Sequence, residues 1–300
     1  MKTLLLSCRE GYYSTRRLAE AIRGRGHEVV RADPGRCELG PGDGGRALRI
    51  EGAPASGFDL CVPRLSRLRL DHTVRIVRAL GEAGTIPLNP PHGLQIARNK
   101  FETFRALRQA GLPTPDTTLA ADPEAVAAAV ESVGGFPAVM KPLRGTQGTG
   151  VVLVRDAGTA RALLRRYQAR GETAVFQAFV PEAAEGDVRL ITVGARVLGA
   201  VRRRGAGGDF RSNLHQGGAA SPFGASDALR DLASRAAAVF GLRFAGVDVI
   251  LAGGEPRILE VNASPGFQGF EKATGLDVAG AVAELAERLQ ADPWTGSDVY

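Results

Sequence analysis

The chain reads as an α/β protein whose opening third rests on a parallel sheet and whose remainder is α+β. Three observations predict this. Short apolar runs alternate with amphipathic helical stretches over the first third, the rhythm of βαβ units. From Phe136 onward the strands come in pairs joined by glycine-rich turns, the pattern of antiparallel hairpins. The length, 300 residues, suits two domains or three small ones, and is enough to bury a large core without disulfides.

The elements follow in order. Thr3 to Ser7 is a short apolar strand. Ser14 is placed to cap a helix with Leu18, Ala21 and Ile22 on one face, ending near Gly24–Gly26. His27 to Ala32 and Asp59 to Pro63 are strands. Gly35 to Gly57 reads as a loop with at most a short strand, Ala47 to Ile50. Asp71 to Gly81 is helical and Ile86 to Asn89 returns as a strand. A dinucleotide-binding domain would carry G-x-G-x-x-G after the first strand. Cys8-Arg9-Glu10-Gly11-Tyr12-Tyr13 stands there instead.

Ala97 to Ala110 is a helix with Phe101, Phe104 and Leu107 on one face, closed by Gly111, Pro113 and Pro115. Pro123 to Val133 is the next helix. Phe136 to Leu143 and Gly150 to Arg155 are strands, and Ala174 to Val180 another. Val188 to Val193 and Arg196 to Arg202 make a hairpin around Gly194-Ala195. Ser226 caps a helix with Leu229, Leu232, Ala236, Val239 and Phe240 inside, stopped by Gly241. Gly246 to Ala252 and Arg257 to Asn262 form a second hairpin. Asp277 to Leu289 is the closing helix.

Composition excludes several classes. Hydrophobic residues make up 44% and charged residues 23%, ordinary for a soluble globular protein. No apolar run reaches the 18 or so residues of a membrane span. The opening Met1-Lys2-Thr3-Leu4-Leu5-Leu6-Ser7 is too short for a secretory core. Cys8, Cys37 and Cys61 lack any C-x-x-C spacing, which suits a reducing cytoplasm and no zinc ribbon. The net charge of +6 favours a partner or substrate carrying negative charge. Aromatic residues are only 6% and do not interleave with arginine, so direct nucleic-acid binding is not expected.

Of the 38 basic residues only Lys2, Lys100, Lys141 and Lys272 are lysine. In a chain that uses arginine wherever a cation will do, a surviving lysine marks a place for a compact ammonium. Chance accounts for Lys2 and Lys272.

Three constellations carry chemistry. Gly145-Thr146-Gln147-Gly148-Thr149-Gly150 joins two strands and leaves many backbone N–H groups open to a phosphate chain, with Lys141 just before it. It is not a Walker A loop, and an ordinary hairpin turn would look alike. Next, Glu260 and Asn262 share one strand face. A three-residue loop, Gly253-Gly254-Glu255, would set Asp248 opposite Glu260. Facing carboxylates are destabilising unless a hard cation joins them, and oxygen donors select Mg²⁺ or Mn²⁺. The alternative is a solvated face, against which Val247, Val249 and Ile250 mark a buried strand. Third, Asp187-Val188-Arg189, Arg202-Arg203-Arg204 and the following Gly205, Gly207 and Gly208 describe either a solvated face or a segment able to close over an anion. His215 is a base or a structural histidine.

In this order the parts resemble the ATP-grasp ligases, and among them the RimK-like glutamate ligases, which add glutamate to the C-terminus of a small-subunit ribosomal protein. The resemblance runs nearly end to end. It is carried by Ala97-Arg98-Asn99-Lys100, by Lys141 with Gly145 to Leu153, and by Gly186-Asp187-Val188-Arg189. It continues through Gly208 to Ser221, Gly246-Val247-Asp248 and Glu260-Val261-Asn262-Ala263-Ser264-Pro265-Gly266.

The resemblance implies an ATP-grasp fold: a βαβ domain over 1–95, a central lobe over 96–177 with the glycine-rich hairpin, and a C-terminal lobe over 178–300 with the metal site. It implies that Lys100, Lys141 and the hairpin glycines Gly145, Gly148 and Gly150 meet ATP phosphates. Gln177, Ala178, Phe179 and Val180 would form the hinge that reads adenine, and Asp187 would hold the ribose. Arg211, Ser212 and Asn213 would meet the phosphates and the reacting centre, with Arg211 and Lys141 catalytic. Asp248, Glu260 and Asn262 would bind Mg²⁺ or Mn²⁺, two ions in all. Arg189, Arg202 and Arg203 would face an acidic acceptor. Two positions depart from the family: Ala178 stands where an acidic residue is usual, and Asn99 replaces Asp.

The implied reaction has two steps. The acceptor carboxylate takes the γ-phosphoryl group of ATP, and the amine of glutamate then displaces phosphate to form the amide. A homo-oligomeric cytoplasmic enzyme is implied, with a protein or peptide C-terminus as acceptor. The same chemistry on a small molecule, carrier protein or ribosomally made peptide is the alternative. A non-catalytic nucleotide sensor is the reading from a different class.

Overall fold

A computed structural model describes residues 1–9, 11–41, 48–65, 69–145, 149–205 and 219–292. The first sheet is parallel: β1 (Lys2–Ser7), β2 (Glu28–Ala32), β6 (Leu60–Arg64) and β7 (Ile86–Pro87), in the order β2-β1-β6-β7. Leu4, Leu5 and Leu6 are all fully buried. Alternation sends Leu4 and Leu6 to one face and Leu5 to the other, and both faces are covered. Leu5 packs with Leu18 and Ile22 of α1 (Tyr13–Gly24). Leu4 and Leu6 pack with Val74 and Val77 of α2 (Leu70–Glu82).

Three local expectations are corrected here. Helix α1 starts at Tyr13 after Tyr12, with no side-chain cap; Ser14 lies inside its first turn and its hydroxyl accepts from Arg64 Nη2 at 3.2 Å. The segment expected as a loop carries an antiparallel sheet of β3 (Cys37–Leu39), β4 (Leu48–Ile50) and β5 (Ala53–Pro54). Cys37 and Leu48 anchor it in the core. The helix expected over 97–110 begins three residues late, as α4 (Lys100–Gln109), and a separate short helix that was not expected, α3 (Pro91–Ile96), precedes it. Asn99 breaks them apart because its Oδ1 accepts from the N–H groups of Phe101 and Glu102 at 3.1 and 3.2 Å, an N-cap.

The second sheet is antiparallel, in the order β10-β9-β11-β8, from β8 (Thr117–Ala120), β9 (Ala138–Pro142), β10 (Val152–Val154) and β11 (Ala174–Ala178). Its inner face, with Met140 and Phe176, packs on Val126 and Val130 of α5 (Val126–Glu131) and on Ala160 and Leu164 of α6 (Ala157–Gln168). Sequence patterning does not single out β8 or α6. The latter is capped by Asp156, whose Oδ1 accepts from Thr159 N at 2.8 Å.

The third sheet is antiparallel with the order β14-β13-β12-β15-β16. Its strands are β12 (Asp187–Val193), β13 (Arg196–Arg204), β14 (Ala219–Pro222), β15 (Phe244–Ala252) and β16 (Glu255–Asn262). Helix α7 (Asp227–Ala238), capped by Ser226, covers one face; α9 (Val278–Ala291) covers the other, after the short α8 (Gln268–Thr274). This sheet and the parallel sheet share their apolar cores, whereas the second sheet has its own. Among the described residues no helix is long and apolar enough to cross a membrane.

Candidate active site

Lys141 lies on β9, one residue beyond the buried Met140, so its side chain leaves the sheet on the face away from α5 and α6. Gln177 of β11 is its diagonal neighbour on that face, since Val175 pairs with Lys141 and Gln177 with Val139. Lys141 Nζ donates to Gln177 Oε1 at 2.6 Å, and Gln177 Nε2 donates to Thr117 Oγ1 at 2.9 Å. The lysine is thus aimed by a relay rather than by an acid. Burial, together with the ammonium of Lys100, pushes its pKa down to about 8.

Lys100 opens α4. Its Nζ donates to Gly145 O at 3.2 Å and its N–H to Leu143 O at 3.2 Å. A cation at a helix N-terminus opposes the helix dipole, and burial lowers the Lys100 pKa further. Both disadvantages vanish once an anion arrives. A cleft runs beside the two lysines, lined also by Thr114, Thr117, Gln177 and Glu260. Thr114 Oγ1 is buried there with no hydrogen-bond partner. A buried hydroxyl left unpaired in this cleft, beside two lysines whose charge burial disfavours, fits a polyphosphate-bearing ligand.

Across the cleft the third sheet presents acids and arginines. Asp187 pairs with Arg203 across β12–β13, and Arg203 Nε and Nη2 each reach an Asp187 carboxylate oxygen at 2.7 Å. Arg189 grips Asp248 in the same bidentate way at 2.6 Å. Gly186 makes the approach possible: its φ is +97°, and a Cβ there would lie 2.0 Å from Arg203 O. Burial pushes Asp248 up, but the guanidiniums of Arg189 and Arg203 outweigh it and hold the carboxyl below its usual range. Asp187 ends raised, because burial and the Asp248 charge prevail over Arg203.

Asp248 stands opposite Glu260 in the register of β15 and β16. The route differs from the one expected. The connection is the two residues Gly253 and Gly254, with Glu255 already paired to Ala252. A register shift beside Asp248 then leaves Leu259 unpaired and brings Glu260 into line. The neutralisation expected from a cation comes, for Asp248, from Arg189 and Arg203. Three N–H bonds occupy its carboxylate, which leaves one of about four acceptor positions, on Oδ1. Glu260 makes no hydrogen bond or ion pair to another described residue. Asn262 Oδ1 accepts from Ser264 N at 3.0 Å. An oxygen-only set with an open carboxylate fits a hard divalent cation.

Arg189, Arg202 and Arg203 do not form one acceptor surface. Arg189 and Arg203 face the two aspartates, and Arg203 is buried. Arg202 precedes Arg203 on β13, so it points to the opposite face, where its Cζ lies 5.0 Å from the centroid of Phe223. The carboxylate of Asp187, expected at a ribose, is held by Arg203. Ala178 ends β11 and its N–H donates to Asp116 O at 2.8 Å. Gly145 and Gly150 both pack on Pro142. Gly148, Arg211, Ser212, Asn213 and His215 lie outside the described residues. Sequence reasoning missed Thr114, Gln177 as a lysine anchor, and the half-buried arginines Arg64 and Arg98; Gln177 and Arg98 lie in stretches that the resemblance had singled out, Thr114 and Arg64 do not.

The decisive comparison is with protein families. A RimK-like ATP-grasp domain matches residues 97–286, and a RimK pre-ATP-grasp domain matches residues 1–94. The chain belongs to the RimK-like ATP-grasp family. It is 37% identical over 297 residues to a probable alpha-L-glutamate ligase of Halorhodospira halophila, covering 99% of this chain and 98% of that relative. The RimK domain protein ATP-grasp of Sphaerobacter thermophilus superposes with a TM-score of 0.74 at 25% identity, over 96% of this chain and 100% of the other. The ATP-grasp ligase PsnB, solved with minimal precursor, Mg and ADP, superposes with a TM-score of 0.72 at 23% identity, over 96% and 98% of the two chains. The fold is therefore ATP-grasp, and the chain is an ATP-dependent ligase of this family.

Proposed function

We propose that this RimK-like enzyme joins the amine of glutamate to the C-terminal carboxylate of a protein or peptide acceptor, with the ribosomal small-subunit type first in line. The observation that carries the reading is Glu260, an unpaired carboxylate facing Lys100 and Lys141 across one cleft. That arrangement suits a nucleotide polyphosphate whose charge is shared between lysines on one wall and a metal-binding acid on the other. The family's glutamate-ligase relatives support glutamate as the amine, and the precursor-bound neighbour supports a peptide acceptor.

Lys141, aimed by Gln177, would hold the transferring phosphoryl oxygens. Lys100 and the hairpin glycines Gly145, Gly148 and Gly150 would hold the rest of the chain of phosphates. Adenine would meet the backbone of the hinge Gln177 to Val180, in which the N–H of Ala178 donates to Asp116 O. Asp248, Glu260 and Asn262 would hold Mg²⁺ or Mn²⁺, two ions in the full reading. A divalent ion bound there supplies Lewis-acid stabilisation to phosphoryl oxygens. Asp187 serves this set by keeping Arg203 in place, and Arg211, Ser212 and Asn213 complete the phosphate contacts through the family pattern. The acceptor carboxylate gains the phosphoryl group as ADP leaves; the amine then attacks the acyl carbon and phosphate departs, which drives amide formation in water.

The reaction would run in the cytoplasm. Its test is mass spectrometry of acceptor proteins, ribosomal ones included, after incubation with ATP, Mg²⁺ and glutamate. One ADP and one phosphate should appear per glutamyl residue gained. ADP release that ignores every acceptor and every amino acid would sink the reading, and ATP binding with no ADP release at all would favour a sensor.

A further inference from the structure

Two half-buried arginines lie beside the site, each with a guanidinium nitrogen out of reach of solvent, and neither has an acidic partner among the described residues. Arg64 ends β6, at the carboxyl edge of the parallel sheet. Its Nη2 donates to Ser14 Oγ at 3.2 Å and to Pro265 O at 2.9 Å, while Nη1 is buried with no partner. Arg98 lies in the link before α4, and its Nε is likewise buried and unpaired. The two guanidiniums are close enough to repel, and among the described residues the acid that offsets the burial of Arg98 is Glu260. Burial, with the Arg98 charge added, pushes Arg64 down to about 10. Buried cations are normally paired, and an unsatisfied buried N–H calls for a partner.

The place is also the one where parallel sheets take ligands. Strand β1 has β2 on one side and β6 on the other, so the chain leaves it in opposite directions and a crevice opens at the carboxyl ends. That crevice is wired to the reaction centre. Leu65 N donates to Ser264 Oγ at 3.2 Å, and Ser264 N donates to Asn262 Oδ1 at 3.0 Å. Arg64 is thus three short links from a proposed metal ligand.

We propose that Arg64 and Arg98 recognise the carboxylates of the incoming amino acid, holding glutamate so that only its amine is free to react. This rests on the ligase reading. A glutamate that attacks through nitrogen keeps two carboxylates, both needing neutralisation. A guanidinium is planar and forked, the geometry that grips a carboxylate in two places. Lys100 and Lys141, by contrast, are tied to Gly145 O and Gln177 and serve the phosphate side.

The test measures glutamate and ATP dependence separately, in the full-length enzyme with Mg²⁺ and a working acceptor. Arg64→Gln and Arg98→Gln should each raise the KM for glutamate at least about thirtyfold, as expected when one partner of a buried charged pair is removed. The KM for ATP should stay within about twofold. Discrimination of glutamate over glutamine should fall, and calorimetric titration with glutamate on the ADP-loaded enzyme should show the same loss of affinity. Arg64→Lys keeps the charge without the fork and should recover part of the loss; with Arg98→Gln it carries the test if Arg64→Gln does not fold. Unchanged glutamate KM, or glutamate and ATP KM rising together, overturns the proposal while leaving the ligase reading intact. A wild-type enzyme that never consumes glutamate overturns both.

Discussion

Arg203 ties Asp187 to Asp248: its Nε and Nη2 hold Asp187 at 2.7 Å, and Nη2 also lies 2.8 Å from Asp248 Oδ2. Two aspartates from different strands thus share one buried guanidinium, and Arg189 closes the group on the far side of Asp248. Removing the shared cation leaves two acids facing each other without water. Arg203→Met should lower unfolding free energy by about 3–5 kcal/mol, read from urea denaturation. Arg202→Ala, on the other face against Phe223, should lose only about 0.5–1 kcal/mol. Equal losses in the two variants would contradict the division of faces.

The same group separates the two carboxylates expected at the metal. Glu260 has no described partner, so Glu260→Gln should abolish ADP formation and leave the melting temperature within a few degrees. Asp248 neutralises two guanidiniums, so Asp248→Asn should abolish turnover and also cost about 3 kcal/mol of stability. Relief of repulsion between Asp248 and Glu260 would predict the opposite sign for Asp248→Asn. Calorimetry of the two variants decides between them.

Lys141 makes nucleotide affinity depend on pH. The free enzyme sheds the Lys141 proton at about 8, and a bound polyphosphate favours the protonated form. Affinity should therefore be flat below about pH 8 and weaken above it, with a limiting slope of about tenfold per pH unit. ADP titrations in buffers of different ionisation enthalpy should show proton uptake on binding at pH 8 and little at pH 6.5. Lys141→Arg should remove the slope but fail in catalysis, because a guanidinium cannot stand in for a point charge on the Gln177 relay. A Kd that stays level from pH 7 to 9.5 would rule this out.

Much of this was legible in the residues. The parallel opening sheet showed in the alternation of Thr3–Ser7, the α1 face and His27–Ala32, where local period and tertiary burial agree. The pairing of Asp248 with Glu260 was legible as well, although by a three-residue loop that is really a two-residue turn and a bulge; the two differences cancel in the register. Helix α6 was missed because its stretch is rich in arginine and has only Ala160, Leu164 and Tyr167 inside. The β3–β5 sheet was missed because short strands among Gly and Pro carry no periodicity. The partners of the arginines could not be read at all. Adjacent residues on a strand look like one basic run, yet Arg202 and Arg203 face opposite ways, and only the third dimension shows which one meets an acid.

The first and last helices are joined by a contact that acid should open. Arg25 of the α1 C-cap donates to Glu287 of α9 at 2.9 and 2.6 Å, and His27 Nε2 lies 2.8 Å from the same carboxylate. The hydrogen bonds from Arg25 and His27 hold the Glu287 carboxyl down to about 2, against an unfolded value of about 4.3. A carboxyl depressed by folding binds fewer protons in the native state than in the unfolded one. Its contribution is complete above pH 5 or so and is lost as pH falls from there through about 2. Glu287 is only half-buried, so the effect should be local rather than global. Hydrogen exchange of the α1 amides should speed up on going from pH 5 to pH 3 more than exchange in β15, after correction for intrinsic rates. Glu287→Gln should show the faster α1 exchange already at pH 5 and no further acid dependence. Because α1 also carries Ser14, which Arg64 grips, glutamate affinity should decline over the same acid range. If α1 and β15 respond alike, or if Glu287→Gln keeps the wild-type acid profile, the contact between α1 and α9 is not what titrates.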